Sequence, residues 1–264
     1  MSNLASRAMG LSTEFVEKLG SDYLQADWPR TGHRFSVLDL FCGAGGFSFG
    51  FALEGFMTTL AFDNDESAVA TFVANLGPYA HVQDLSDGDI LHETPSIIVG
   101  GPPCQGFSSA GLRQHGDHRN TLVASFARIV ARLQPEAFVF ENVEGFLTSD
   151  GGERVFDLIT PLVQAGYRIH MRKINAANYG VPQHRKRVVA IGGLGWDPSF
   201  PQPTHRAFGA PGAHRTAQRL PAALTLDHAL ADLPTASTEE PGVPRDHFYR
   251  PLQGIDMERA HALM

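Results

Sequence analysis

Val37-Leu-Asp-Leu-Phe-Cys-Gly-Ala-Gly-Gly46 decides the fold class. A mostly apolar run meets a glycine turn, and a helical pattern over residues 46–54 starts at once behind it. Glycines let the backbone turn sharply and bring its N–H groups close to anything bound at the C-terminal edge of a parallel sheet. Working outward, further strand candidates fall at residues 35–40, 58–62, 97–100, 137–141, 168–175 and 187–193. Helical stretches at 66–76, 121–133 and 152–165 lie between them. Each strand reads as nearly all apolar, as expected when both faces of a sheet are buried. The alternation predicts an α/β, Rossmann-like domain with a mostly parallel sheet covered on both faces.

Outside that core the pattern changes. Residues 195–221 are crowded with Pro, Gly, His and Arg and read as irregular surface chain. A short helix over 224–233 is stopped by Pro234, and loop-like sequence follows to Met264. Near the start, residues 12–26 form one amphipathic helix, capped by Ser12 or Thr13 and closed by Trp28-Pro29. The expected organisation is an N-terminal helical extension (1–34), a catalytic domain (35–193) and an irregular C-terminal extension (194–264).

Composition narrows the class further. The 264 residues are 43% hydrophobic and 19% charged, an ordinary globular balance. There is no apolar run of about eighteen residues and no secretory signal, so neither a membrane span nor export is expected. Two cysteines suit a reducing compartment, and the expected location is the cytoplasm. The net charge of −7 is the opposite of a nucleic-acid footprint. If this chain handles DNA, it does so through a local basic cleft, with much of the gripping surface elsewhere.

Two acidic positions extend the glycine turn into a candidate ligand site. The turn alone suits a nucleotide, a nicotinamide cofactor, S-adenosylmethionine, or no ligand at all. Asp63 closes the second strand, where a carboxylate takes the ribose hydroxyls of an adenosine ligand. Asp84 stands at the end of a third strand, placed to accept from an adenine amino group. The competing reading for each is a helix cap or a solvated loop carboxylate.

Three further blocks end at the same sheet edge. In Gly100-Gly-Pro-Pro-Cys-Gln-Gly-Phe-Ser-Ser-Ala-Gly111, Cys104 occupies a Pro- and Gly-rich turn with no apolar periodicity to bury it, which suits a nucleophilic thiolate. Cys42, inside the first glycine turn, reads as packing. Phe138-Val-Phe-Glu-Asn-Val-Glu-Gly145 delivers Glu141 and Asn142. A carboxyl group there needs a partner or a proton, and it matches an amidine-like edge such as N3 and N4 of cytosine. In Asn178-Tyr-Gly-Val-Pro-Gln-His-Arg-Lys-Arg187, the donors Gln183, Arg185 and Arg187 alternate and would share one side of an extended chain.

These blocks, in this order, resemble the motifs of the DNA cytosine-5 methyltransferases over roughly residues 35–193; Asp117-His-Arg-Asn-Thr-Leu122 looks like the end of that family's mobile catalytic loop. The resemblance implies a class I S-adenosylmethionine-dependent methyltransferase fold with an antiparallel C-terminal strand. It implies S-adenosylmethionine as donor, S-adenosylhomocysteine as product, and no metal. Phe41 would stack on the adenine, and Gly43, Ala44, Gly45 and Gly46 would lie along the methionine part. Asp63 and Asn64 would hold the ribose side, and Asp84, Leu85 and Pro103 would complete the pocket. Cys104 would attack C6 of a flipped-out cytosine while Glu141 hydrogen-bonds or protonates N3. C5 then takes the methyl group, a base removes its proton, and the thiolate leaves. Arg185, Arg187 and Gln183 would hold the base and nearby backbone, and Asn142 would brace the loop bearing Cys104. Where the family commonly has Glu, this chain has Asp63.

The resemblance also implies double-stranded DNA as a partner and a target-recognition region beyond the last strand. Residues 225–234 look like the connector ahead of such a region, and little sequence follows. The expectation is a split methyltransferase whose second subunit supplies recognition. A truncated chain is another reading. A third is a permuted one, in which Arg7-Ala-Met-Gly-Leu-Ser12 and the following helix stand for the family's last motif. RNA cytosine methylation, a non-catalytic module of the same fold and a nicotinamide dehydrogenase stay open as rival functions.

Overall fold

The computed structural model describes residues 35–86, 94–103, 121–206 and 220–231. The expected helix at 12–26, the 104–120 loop with Cys104, and Pro234 lie outside the described residues. The elements run β1 (Ser36–Leu40), α1 (Gly46–Leu53), β2 (Met57–Asp63), α2 (Glu66–Leu76), β3 (Ala80–Val82), β4 (Ile97–Gly100), α3 (Thr121–Leu133), β5 (Ala137–Val143), α4 (Glu153–Gln164), β6 (Tyr167–Asn175), β7 (Lys186–Leu194) and α5 (Leu226–Leu230).

Seven strands make one sheet in the order β3-β2-β1-β4-β5-β7-β6. The pairs β1–β2, β1–β4, β2–β3 and β4–β5 are parallel, whereas β7 runs antiparallel to both β5 and β6. Helices α1, α2 and α3 carry the chain from β1 to β2, from β2 to β3 and from β4 to β5. The loop from β6 to β7 is too short for a crossover, so β7 returns as a hairpin partner and slots between β5 and β6. The order reverses between β1 and β4, which opens a crevice beyond their C-terminal ends. Because β7 is antiparallel, its first residues reach that same edge, with Arg187 opposite Val143 and Lys186 opposite Asn175.

Neighbouring residues of β2 show how the sheet is filled. Ala61 belongs to a cluster with Cys42, Val69, Phe72 and Ala80, and Phe62 to the main core, so the two clusters lie on opposite faces. The main core is aromatic. Phe126 of α3 packs on Phe138 and Phe140 of β5 at 6.2 and 5.4 Å between ring centroids, and Phe140 packs on Phe146 at 5.3 Å. Each fully buried ring of this kind contributes roughly 1.5–3 kcal/mol. Gly192 of β7 is small for a packing reason: a methyl group there would overlap the Phe138 ring.

The third strand expected ahead of Asp84 is the three-residue β3, whose His81 and Val82 are exposed and leave no apolar run to mark its bounds. The structure departs from the sequence expectations in two places. β6 is not nearly all apolar: Arg168, Arg172 and Lys173 are exposed, as suits an edge strand that must not pair with another chain. Of the helix expected over 224–233, the described part is helical only over Leu226–Leu230, none of whose side chains is buried; residues 232 and 233 lie outside the described residues.

Candidate active site

At the cofactor end, the chain leaves β1 through Phe41, which holds φ at 60°, an uncommon conformation for a bulky residue. Strain of this kind persists only where its surroundings over-determine it, and it is a pointer to function. The turn that follows is held by Asp63: its Oδ2 accepts from the Gly43 N–H at 2.8 Å, while Oδ1 accepts from the Asp65 N–H at 2.9 Å. The N-cap of α2 is Asp65 rather than Asp63, with Oδ1 accepting from the Ser67 and Ala68 amides. Gly45 is buried at φ 97°, and a side chain there would strike Phe72 and Leu76. Gly43 and Gly46 differ, since a Cβ on either would meet nothing within 4 Å. The turn is therefore closed underneath and open above. That open surface, bordered by Asp63, leaves room for a ligand laid along the backbone.

Asp84 is exposed and accepts from the Ser86 N–H at 2.8 Å, a local turn that sets its direction; Leu85 beside it is buried. Helix α3 pins this turn. The buried Ser125 hydroxyl donates to the Ser86 carbonyl at 2.7 Å and accepts from Arg128 at 2.7 Å. Asn64 and Ala44 are also exposed.

Sequence reading missed Asp39. It is fully buried in β1; its Oδ2 accepts from the Ser48 hydroxyl at 2.6 Å and the Ser48 amide at 3.2 Å, while Oδ1 has no partner. Burial raises its pKa to about 7, the two Ser48 bonds oppose that rise, and the charge of Asp63 adds to it. The available signal was an acid in the middle of an otherwise apolar strand. A folded-state pKa above the ordinary 3.8 means the folded chain keeps a proton that the unfolded chain releases. Stability therefore falls as pH rises from about 4 to about 7, with the full penalty present above that window. Asp39→Asn is expected to be more stable than the parent at pH 8, by a few kcal/mol, with the gain shrinking towards pH 4. Thermal melts at the two pH values test this, and a gain larger at low pH would contradict it. Cys42 is buried close by; burial, then Asp39 and Asp63, push its thiol up to about 12, so it is inert at neutral pH.

At the chemical end, residues 101–103 leave β4 under the end of β5. A Cβ on Gly100 would come within 2.7 Å of the Leu40 carbonyl and 2.8 Å of Phe126, so the strand end must be glycine. A Cβ on Gly101 would lie 3.2 Å from Glu141 Oε2, which places that carboxyl group over the segment leading to Cys104. Glu141 Oε1 is 2.7 Å from Arg187 Nε. The β5–β7 register explains the pair: Glu141 faces Val189 and Val143 faces Arg187, so the two charged side chains are diagonal neighbours on one face. Asn142 points the other way, is 2% exposed, and donates from Nδ2 to the Pro102 carbonyl at 3.3 Å. Pro103 is exposed.

Gln183 and Arg185 sit differently from expectation. Their segment is bent rather than extended, with Gln183 N–H donating to the Val181 carbonyl at 2.8 Å and Arg185 N–H to the Gln183 carbonyl at 3.0 Å. Alternation therefore does not put the three donors on one side. Arg187, inside β7, turns to Glu141, while Gln183 and Arg185 are exposed at the mouth of the loop. The structure thus brings Glu141, Asn142, Arg187 and residues 101–103 together at one strand edge. Phe41, Gly43–Gly46 and Asp63 lie at the neighbouring ends of β1 and β2. Among the described residues no group of three or more His, Cys, Asp or Glu could hold a metal ion, and no helix is long and apolar enough to cross a membrane.

The seven-stranded sheet, with its inserted antiparallel β7 and an open glycine turn beyond β1, is the Rossmann-like methyltransferase fold. Comparison with known proteins narrows this class. The model of the C-5 cytosine-specific DNA methylase family matches residues 35–249, and the chain belongs to that family. It is similar to the type II methyltransferase M.AgeI of Thalassovita gelatinovora, with 33% identity over 258 residues, covering 85% of this chain and 59% of the relative. It is 36% identical over 193 residues to M.AquIA of Picosynechococcus, covering 64% of this chain and 76% of that protein. Among solved structures, one assigned as a prophage-encoded DNA modification methyltransferase of E. coli superposes with a TM-score of 0.59 at 31% identity, covering 76% of this chain and 55% of that one. The chain spans a little over half the length of M.AgeI and of the E. coli protein.

Proposed function

We propose that this chain transfers a methyl group from S-adenosylmethionine to C5 of cytosine in double-stranded DNA, with Cys104 as nucleophile. The observation that carries this reading is the Glu141–Arg187 pair set over Gly101, at the head of the segment that runs into Cys104. The open glycine turn lies at a neighbouring strand end. When bound at that turn, S-adenosylmethionine supplies an electrophilic methyl group. Phe41, Gly43–Gly46, Asp63 and Asn64 hold the donor, with Asp84, Leu85 and Pro103 completing its pocket.

The remaining chemistry belongs to side chains. Arg187 orients the Glu141 carboxyl group through Oε1, and Oε2 is the atom left to meet N3 of an extruded cytosine. Asn142 fixes the Pro102 carbonyl and so sets where the following residues begin. Gln183 and Arg185, both exposed, contact the base or its flanking backbone. Residues 35–193 form the catalytic domain in this reading, and 194–264 lead towards recognition. A second polypeptide supplies target recognition, and the net charge of −7 supports this. Modification within a restriction system follows from the type II relatives.

The test is transfer of tritiated methyl groups to unmethylated duplex DNA, with base analysis, alongside calorimetry of S-adenosylmethionine binding. Label recovered as 5-methylcytosine is the expected result. Label on adenine, label only on RNA, or no binding of the donor would overturn the reading. Transfer by the chain alone would overturn only the need for a second polypeptide.

A further inference from the structure

The loop 176–185 is held far more tightly than its sequence suggests. It joins β6 to β7, and its base is closed by the Ala176 N–H donating to the Arg185 carbonyl at 2.9 Å. Inside that base lies Asn175, the last residue of β6 and 1% exposed. Its Oδ1 accepts from the Ala177 N–H at 3.2 Å. That bond decides which end of the amide is oxygen, so the atom 3.2 Å from His184 Nδ1 is the donor Nδ2. His184 Nδ1 is therefore an acceptor, and its ring proton sits on Nε2.

A second buried asparagine grips the loop from outside. The Asn178 carbonyl accepts from the Thr204 and His205 amides at 2.9 and 3.0 Å, and its Nδ2 donates to the His205 carbonyl at 3.0 Å. Burying two amides is favourable only when their hydrogen bonds are made, so both specify one loop conformation. What the frame holds out is Gln183 and Arg185, on either side of His184 in sequence and, like it, exposed.

We propose that Asn175 and His184 are positioning residues: their hydrogen bond latches the loop from within and sets the direction in which Gln183 and Arg185 meet DNA. This rests on the reading of those two side chains as nucleic-acid contacts. His184 stands between them, so the orientation of its backbone fixes theirs. Asn178 holds the outer side of the loop through its bonds to Thr204 and His205.

The test compares Asn175→Ala, His184→Ala and His184→Asn. Asparagine carries Oδ1 where the imidazole carries Nδ1, so His184→Asn keeps an acceptor for Asn175 and His184→Ala does not. Methyl transfer is measured with the full chain, together with its recognition polypeptide where transfer needs one. Loss of the latch should raise KM for duplex DNA roughly tenfold in both alanine variants, about the worth of one hydrogen bond. His184→Asn should stay close to the parent, and S-adenosylmethionine affinity should be unchanged in all three. A parental KM in His184→Ala, or His184→Asn as impaired as His184→Ala, would overturn the proposal; the His184 variants decide even if Asn175→Ala fails to fold. Amide hydrogen exchange at Ala177 and Arg185 is independent of activity. It should quicken in His184→Ala and return to the parental rate in His184→Asn, and unchanged exchange in His184→Ala overturns the latch. If the parent transfers no methyl group, the functional reading fails, and exchange alone still decides whether the latch exists.

Discussion

Cys104→Ser is expected to abolish methyl transfer, by about 10⁴-fold or more, while the melting temperature and S-adenosylmethionine affinity stay at parental values. A serine hydroxyl is almost the size of the thiol but ionises far less readily, so the nucleophile is lost without a change of volume. Its neighbours explain why the fold should survive. Residues 101–103 leave β4 held by the close approach of Gly100 to Leu40 and by the Asn142–Pro102 hydrogen bond, neither of which involves position 104. Radiolabelled transfer, thermal melts and calorimetry on the two proteins decide it. Retained turnover would remove Cys104 from the chemistry. An unfolded variant would make its role structural.

Glu141→Gln should slow the chemical step by about 10²–10⁴-fold, with little effect on donor binding. Glutamine keeps the shape at the end of β5 but can neither hold the negative charge nor deliver the proton that an activated N3 requires. Arg187 loses its ionic partner at 2.7 Å in this variant. Because both side chains are about a quarter exposed, water can replace the partner, and the stability change should be small. Single-turnover rates set against calorimetric affinities separate the two effects. A variant that reacts at the parental rate but binds the donor poorly would move Glu141 out of the catalytic position and into the cofactor site.

Both predictions concern residues that could be named from sequence, and the reason is local. β1, its glycine turn and α1 are written in adjacent residues: an apolar run, then glycines where the backbone must take positive φ or approach its neighbours, then helix. Cys104 and Glu141 could be proposed for a similarly local cause: each comes at or just after the end of an apolar strand, the thiol in a Pro- and Gly-rich turn and the carboxyl group where burial needs a partner or a proton. The fold class followed, because alternating apolar runs and helical patterns leave few ways to bury both faces of a sheet.

Other features depended on partners distant in the chain. Asp39 looks like any acid in a strand until the sheet closes over it and leaves Oδ1 without a partner. The third strand was legible only by its end near Asp84; its bounds come from pairing with β2, because its own three residues are too few and too exposed to mark them. The Gln-x-Arg-x-Arg segment promised three donors on one side. The bend at 181–185 and the β5–β7 register instead sent Arg187 to Glu141 and left Gln183 and Arg185 in solvent. Asn175 lies before the Gln-x-Arg-x-Arg block and His184 fills one of its variable positions, so neither stood out, and only the hairpin brings them to 3.2 Å. Sequence by itself thus determined which elements form and which side chains stand at their ends. Burial, register and pairing are relations between strands far apart along the chain, and those only the tertiary structure decided.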